Sequence, residues 1–569
     1  MTEGLRTEAL KAAAVALAVL GAAQAAGAAD ATFQRLRNPE PGNWLTNHRD
    51  YSAQRHAPLS QIDKTNVKNL KLKFALPLGG TSGNEGVEAT PLVDDGFMYI
   101  VDPWGVVYKI DVRSGSRGAL VWKMDPGQQK LDRDRGVALW NNLVISITSH
   151  DGRVVATDRD SGKVVWDKNL HDQPDLELTA APLALENSVL IGASGGDRGV
   201  RDWVASLDAR TGELKWKTYS IPAPGEPGSE TWKDKNNAWQ TGGGAFYVTG
   251  SYDPATNLSY WGSGNPVPGY DSHFRPGDNL YTSSAIAFDA ATGKISWWHQ
   301  YNPNDNHDYD ETGTHILLDE MVNGESRKVV SHTGRNGFEY VFDRLNGQFL
   351  KAGQYVKEVT WTKGVDVKTG KPVDYDPARD VQIYNEGPNV NDDGRTRRMC
   401  PDTSGGNNYW PASYSLKTKT IYVAANEGCA NVTPDYQSHT RGNFVGGKTA
   451  DAGRITSSVI AIDPTDASVR GRKEFDYPNF AGVLSTAGGV VFTALLDGTI
   501  VALDDETLDE LWSVNVGAGF NAPPMSYAVD GKQYVAIASG LFNNARGKLK
   551  RAPEMKDQPS AAMLFVFGL

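Results

Sequence analysis

Apolar and polar positions along this chain fall into short, strand-length runs broken by one recurring turn. "ATDRDSGKVVW" (156–166), "SLDARTGELKW" (206–216), "AFDAATGKISW" (287–297) and "ALDDETLDELW" (502–512) each place an Asp at one position and a Trp eight residues later. "KIDVRSGSRGALVW" (109–122) is the same unit with three residues inserted, and "VFDRLNGQF" (341–349) and "AIDPTDASV" (461–469) are degraded copies. Each unit predicts a strand, an Asp-x-x-Thr/Ser-Gly turn and a second strand ending on an aromatic ring. The Gly supplies the positive φ such turns require.

The turn Asp positions are 111, 158, 208, 289, 343, 463 and 504, separated by 47, 50, 81, 54, 120 and 41 residues. Four-stranded propeller blades need about 40–50 residues each, so the wider gaps carry insertions. A further blade is suggested by "NLKLKFALPLGG" with "ATPLVDDGFMYIVD" ahead of the first copy. The expectation is an all-β, eight-bladed β-propeller with Trp-docking repeats, closed by Asn38–Phe74 and the C-terminal "MLFVFGL". A sandwich of evenly spaced hairpins is the alternative, and one turn–Trp signature repeated this often argues against it.

Composition agrees: 60 Gly, 15 Trp and 22 Tyr in 569 residues fit many tight turns and aromatic packing. The net charge of −11, with no basic stripe, argues against nucleic acid as a partner. Arg6 and Lys11 precede an apolar run from about Ala12 to Ala23 and several small-residue cleavage options. Residues 1–29 therefore read as a secretory signal rather than an Ala-rich helix of the fold, and 30–569 as one propeller domain. No other stretch approaches ~18 apolar residues, so no membrane span is expected and the mature protein should be periplasmic. Export makes a disulfide the default for the two cysteines, Cys400 and Cys429. There is no Cys-x-x-Cys-His, hence no covalently attached c-type haem within this chain.

The insertions, 217–280, 299–330 and 350–460, are rich in Asp, Asn, Gly, Pro and aromatics, and propellers place function in loops over the central channel. One stretch, "DNHDYDETG" (305–313), packs Asp305, Asp308, Asp310 and Glu311 together. In an extended segment Asp308 and Asp310 share one face, where they repel unless a positive group lies between them. A solvated turn is the plain alternative for the acids taken alone.

With "GASGGDRGVR", "QTGGGAFYVTGSYDPATNLSYWGSGNP", "HDYD" and "TGRNGFEYVFDR", in order across nearly the whole mature chain, the sequence resembles the pyrroloquinoline quinone (PQQ)-dependent alcohol dehydrogenases of the methanol/ethanol dehydrogenase type. The resemblance implies a propeller of eight blades, PQQ, and a Ca²⁺ or lanthanide(III) ion on its axis. By motif position Asp197, Asn265 and Asp308 would hold the ion, and Asp310 matches the further acid of lanthanide-using members. Hard cations take oxygen ligands, and each added carboxylate offsets more positive charge. Glu88, Arg135, Ser149, Ser194, Gly195, Tyr247, Arg335 and Asn408 would contact PQQ. Cys400 and Cys429 match the family's non-adjacent disulfide.

The chain departs from the family pattern in several places. Asp197 replaces a usual Glu. The adjacent cysteine pair is absent, Gln129 and Lys130 standing there instead. Tyr247 replaces the floor Trp, and Phe480 another aromatic position that is usually Trp. Smaller ring walls point towards a larger or secondary alcohol, polycyclic or toxin-type hydroxyls included.

The resemblance also implies a mechanism, in which Asp308 takes the hydroxyl proton, Arg335 steadies charge on the quinone oxygen, and electrons leave to a separate periplasmic cytochrome c. Metal proximity is expected to keep Asp308 ionised. Monomer and homodimer both stay open. The rival readings are a non-catalytic propeller scaffold and a degenerate quinoprotein; the retained Asn265, Asp308 and Arg335 argue against both.

Overall fold

The computed structural model describes residues 29–79, 85–385, 394–436 and 439–569. The expected signal segment, 1–29, lies outside the described residues apart from Ala29. Antiparallel sheets follow one another along the chain, four-stranded over residues 92–124, 138–169, 251–300, 315–354 and 413–475, five-stranded over 177–219, and over 483–515 four-stranded with His56–Ala57 added as a parallel fifth strand. In one further sheet Met525–Val529, Lys532–Ser539 and Met563–Gly568 are completed by Lys71–Pro77, which pairs antiparallel with Met563–Gly568. The N-terminal and C-terminal parts of the chain thus share a sheet, as expected. The whole is an all-β, propeller-like fold. Among the described residues the α-helices are short, Phe33–Arg37 and Asn543–Leu549, and no helix is long and apolar enough to cross a membrane.

The repeat residues explain how neighbouring sheets lock. Asp158 Oδ1 accepts from the Ser161 amide at 2.8 Å, and Asp289 Oδ1 from the Thr292 amide at 2.8 Å, so each Asp caps its own turn. The turn glycines Gly162, Gly212, Gly293 and Gly347 have φ of 71–73°. Each also lies under the Trp of the preceding sheet: a Cβ on Gly212 would come within 2.7 Å of Trp166, and one on Gly293 within 2.4 Å of Trp216. The indole N–H then donates to the carbonyl one residue after the next Asp. Trp122 reaches Arg159 O at 3.0 Å, Trp166 Ala209 O at 3.3 Å, Trp216 Ala290 O at 3.1 Å and Trp297 Arg344 O at 2.9 Å. The Asp–Gly–Trp spacing is therefore a docking rule: Gly makes room, and Trp fills it and satisfies a carbonyl.

Two copies, 461–469 and 502–512, keep the backbone without the glycine. Ala467 (φ 63°) and Leu508 (φ 62°) take the left-handed conformation at the positions where Gly stands elsewhere. A further turn escaped the sequence reading. Asp366 Oδ1 accepts from the Thr369 amide at 2.8 Å, and Gly370 (φ 72°) sits under Phe349, within a stretch expected to be loop.

The expected long loops need correcting. Residues 217–280 contain the strands Ser251–Asp253 and Leu258–Gly262, which form the inner half of a sheet. Residues 350–460 contain Ser413–Ser415, Thr420–Glu427 and a small sheet of Arg397–Met399, Ala430–Pro434 and Gly447–Asp451. In the stretch 299–330, His315–Val322 is a strand. The Asp–Trp signature marks only the outer hairpin of each unit, so the inner strands carried no signal. Inner strands such as Leu143–Thr148 are buried throughout between neighbouring sheets, whereas outer ones such as Val164–Asn169 are largely exposed.

Candidate active site

The segment 305–311 is not extended. Asp308 takes a left-handed conformation (φ 62°), and the Asp305 carboxylate accepts the Tyr309 amide at 3.0 Å. Tyr309 is fully buried, its hydroxyl on Pro401 O at 2.7 Å, while Asp308 and Asp310 both face one cavity. The expected shared face is thus reached by a turn rather than by strand alternation. Glu311 points the other way and builds a scaffold. Its Oε2 accepts from the Arg335 amide at 2.9 Å and faces His332 Nε2 at 3.0 Å, and its Oε1 accepts from the Asn336 amide at 3.2 Å. The acid stretch therefore positions the turn that carries Arg335.

Arg335 forms a close ion pair with Asp310 Oδ2 and stands 3.7 Å from Asp308 Oδ2. Burial opposes its charge, but Asp310 and Asp308 more than offset that and hold it charged. Asp310 Oδ1 accepts from the Asn265 amide at 2.9 Å, and Oδ2 from the Tyr247 hydroxyl at 3.0 Å. Asp308 receives the Tyr270 hydroxyl at 3.3 Å. Burial pushes the Asp308 carboxyl well above the ordinary range, Arg335 pulling it back and Asp197 and Asp310 pushing it further up. Burial and the neighbouring acids therefore work against the ionised form expected of Asp308, and a nearby cation would favour it.

Asp197 rides a one-turn segment, Gly196–Arg198, bracketed by the left-handed Gly195 (φ 117°) and Gly199 (φ 90°). A Cβ on Gly195 would come within 2.5 Å of Asp175 O, so only glycine fits. The Asp197 carboxyl is pushed up by burial first and by the Asp310 charge next. Below it Asp202 is fully buried, and neither of its carboxylate oxygens has a hydrogen-bond partner.

A cavity of about 340 Å³ gathers Glu88, Arg135, Ser194, Gly195, Asp197, Tyr247, Asn265, Asp308, Asp310, Arg335 and Asn408. Ser149 is not among its walls: its hydroxyl donates to Arg133 O at 2.8 Å and its amide to Gln128 Oε1 at 2.7 Å, behind the lining. Thr179 lines the cavity instead, its hydroxyl 3.2 Å from that of Ser194 and 3.0 Å from Arg135 Nη1. Arg135 pairs with Glu88 at 2.8 Å, donates to Tyr247 O at 2.8 Å and lies over the Tyr247 ring at 5.1 Å. Gln129 and Lys130, which the resemblance sets at the position of the adjacent cysteines, do not line it. Phe480 does, stacked on Trp410 at 4.4 Å, with Tyr409 and Phe542 nearby in the wall.

Thr179, Arg133, Glu177 and Phe542 were not foreseen. They sit at strand ends or connections whose meeting is set by the packing of separate sheets, and no local motif marks them. Cys400 and Cys429 form the expected disulfide. Beside it, Asp402 is bound by Lys548 and lies 3.6 Å from Arg551, which ties the helix Asn543–Leu549 to the disulfide-closed loop.

The chain belongs to the PQQ-dependent alcohol dehydrogenases: the model of the glucose/ethanol/alcohol dehydrogenase β-propeller domain matches residues 44–358 and 461–535. It is 35% identical to the quinohemoprotein alcohol dehydrogenase of Comamonas testosteroni, over 96% of this chain and 79% of that protein. It is 32% identical to the quinoprotein alcohol dehydrogenase PedH of Pseudomonas putida, over 97% of this chain and 95% of that one. Among solved structures, a europium-containing methanol dehydrogenase superposes with a TM-score of 0.86 at 29% identity, over 94% of this chain and all of that one.

The cavity suits the group this family uses. Arg135 Nε, Arg335 Nε, Ser404 Oγ and Asn521 Oδ1 are buried polar atoms of lining residues without hydrogen-bond partners, set among aromatic rings. A flat polycarboxylate can satisfy the two guanidinium N–H groups and the Ser404 hydroxyl, because guanidinium groups match carboxylates, while Asn521 Oδ1 offers an acceptor. The donor set also suits a hard cation. Asp197, Asp308 and Asp310 bring three carboxyl groups into one cavity, with the Asn265 side-chain oxygen as a neutral donor, and a bound cation would favour their charged forms.

Proposed function

We propose that this protein is a periplasmic quinoprotein dehydrogenase, exported by its N-terminal signal, that oxidises an alcohol to an aldehyde or ketone and passes electrons to an external cytochrome c. The convergence of Asp197, Asp308, Asp310 and Arg335 in one cavity carries the reading. On this reading the eight sheets are the blades of one ring, with the cavity on its axis.

When bound, PQQ supplies the hydride acceptor and the cation supplies the Lewis acid. Asp197, Asn265, Asp308 and Asp310 would hold the ion. Four acid or amide donors, together with a relative described as europium-containing, favour a lanthanide(III) over Ca²⁺. The salt-bridged Glu88–Arg135 pair, Ser194, Asn408 and Tyr247 orient the cofactor. Asp308 accepts the hydroxyl proton, a role open to it once ionised. Arg335, held charged in a buried setting, stabilises negative charge facing it. The substrate is a larger or secondary alcohol. Support comes from Gln129 and Lys130 standing away from the cavity and from Phe480 where the family pattern has Trp.

A dye-linked alcohol oxidation assay on the apo-protein tests this, with PQQ added together with Ca²⁺ or La³⁺ and a panel from methanol to bulky secondary alcohols. Turnover requiring both PQQ and a metal, greater with La³⁺ and with bulky substrates, is the expected result. No PQQ binding and no turnover with either ion would overturn the reading. Methanol as the best substrate would overturn the substrate assignment alone.

A further inference from the structure

Tyr247 occupies a position where the family pattern has Trp, and its hydroxyl has a place in the site that an indole cannot take. The phenol oxygen lies 3.0 Å from Asp310 Oδ2 and 2.9 Å from Asn408 Oδ1. A phenol carries one proton, so it can donate to only one of these acceptors at a time. Asn408 is oriented for this contact, because its Nδ2 donates to Ser404 O at 3.2 Å and turns the amide oxygen towards the ring. The ring is fixed from the other side by the Arg135 guanidinium over its face and on its carbonyl. Asp310 matches the acid that the resemblance links to lanthanide use, and Asn408, which the resemblance sets against the cofactor, lines the same cavity.

We infer that Tyr247 is a positioning residue that holds the Asp310 carboxylate until the ion binds and couples ion occupancy to Asn408 on the cofactor side. The inference rests on the ion-dependent quinoprotein reading above. Without a cation, Asp310 is the more basic acceptor and takes the phenol proton, alongside the Arg335 ion pair. A cation drawing on the Asp310 charge weakens that acceptor and frees the phenol to donate to Asn408. Ion binding and cofactor grip then strengthen one another, as linkage requires.

The test is a double-mutant cycle on the full chain, using Tyr247→Phe, Asp310→Asn and the pair, with Asp310→Ala as a second truncation. La³⁺ and Ca²⁺ binding is measured by equilibrium dialysis with and without saturating PQQ, and PQQ binding by its own absorbance with and without La³⁺. Ion binding trades the phenol's hydrogen bond to a charged carboxylate for a weaker one to an amide, so Tyr247→Phe should strengthen La³⁺ binding in the absence of PQQ by roughly threefold to tenfold. In either Asp310 background the same change should matter by less than about twofold. The mutual enhancement of La³⁺ and PQQ should also shrink in Tyr247→Phe.

Wild-type or weaker La³⁺ affinity in Tyr247→Phe without PQQ overturns the inference, as does an equal change with and without Asp310, which is what a plain packing role gives. Wild-type protein that binds PQQ but neither ion would instead overturn the metal reading, and the inference with it.

Discussion

The turn at 158–162 and the turn at 305–311 are both short, acid-led reversals, yet their acids behave in opposite ways. Asp158 is used locally, taking the Ser161 amide at 2.8 Å and the Ser161 hydroxyl at 2.7 Å. Asp308 and Asp310 are satisfied from far along the chain, by Tyr270, Tyr247, Asn265 and Arg335. The first kind of turn can be copied from sheet to sheet, because its amide and hydroxyl cap comes from its own residues. The second depends on loops from several sheets arriving together, so it is not repeated with the hairpin. An acid that caps its own backbone is structural; one held by distant partners in a cavity is available for chemistry.

The largest effect separates these two roles. Asp308→Asn should lower kcat in the PQQ- and metal-loaded protein by about 100- to 10,000-fold, the range for losing a general base. Its thermal melting should stay close to wild type. Asp158→Ala should do the reverse, costing on the order of 1 kcal/mol of stability for the lost turn hydrogen bonds while leaving kcat in place. Dye-linked turnover and thermal melts on both variants check this, and a stability loss without a rate loss in Asp308→Asn would erase the distinction.

Within the repeat, docking depth should set the cost. Trp297 is buried and donates to Arg344 O at 2.9 Å over Gly347, so Trp297→Ala should cost about 3–5 kcal/mol. Trp512 is only partly buried and meets Phe567 edge-on at 5.6 Å. Its truncation should cost less, and denaturant unfolding of the two variants compares them directly. Equal costs would mean that the Gly–carbonyl socket adds nothing beyond burial.

How much was legible in the sequence follows the same division. The repeat was readable because Asp, Gly and Trp act within one hairpin and its neighbour, so their spacing is fixed. Asp197, Asn265, Asp308, Asp310 and Arg335 were readable through motif resemblance, and the cavity brings them together. Thr179 was missed and Ser149 named in its place, because which hydroxyl reaches Arg135 depends on how two sheets pack. The left-handed turn at Asp308 was missed because i, i+2 alternation and a tight turn can send the same two side chains to one side. The turn at Asp366 was missed because it docks Phe349 rather than Trp and lies inside an insertion.

Asp202 sharpens the contrast from the side of burial. It is fully buried with no hydrogen-bond partner, and burial first, then the charges of Asp197 and Glu177, push its carboxyl well above the usual value. The folded protein therefore holds a proton there that the unfolded chain releases above about pH 4. Because the native state binds the extra proton, stability conferred below that pH drains away as pH rises towards the folded value, by up to about 1.4 kcal/mol per pH unit. Asn mimics the protonated acid and does not titrate. Asp202→Asn should thus match wild type near pH 4 and exceed it increasingly above, in urea unfolding at stepped pH. Parallel pH profiles for the two proteins would show that Asp202 is ionised in the native state and compensated by its surroundings.

The smallest effect lies where the repeat has lost its glycine. Ala467 stands at the Gly position of a turn led by Asp463, with φ of 63°, and Asp463 still caps it through the Thr465 amide at 2.8 Å. A non-glycine residue in this region is strained by roughly 1–2 kcal/mol, whereas glycine adopts it freely. Glycine also has more conformational freedom to lose on folding, which returns part of that gain. Ala467→Gly should therefore stabilise by about 0.5–1 kcal/mol, with no change in turnover, since the turn is part of the repeat rather than of the cavity. Leu508, at the equivalent position of the next copy with φ of 62°, should respond differently. Its side chain is buried, so Leu508→Gly relieves the same strain but gives up more packing and should destabilise. Both side chains are buried, so opposite signs at two positions with the same backbone would show that glycine wins where only a methyl is lost and yields where a large side chain fills the core.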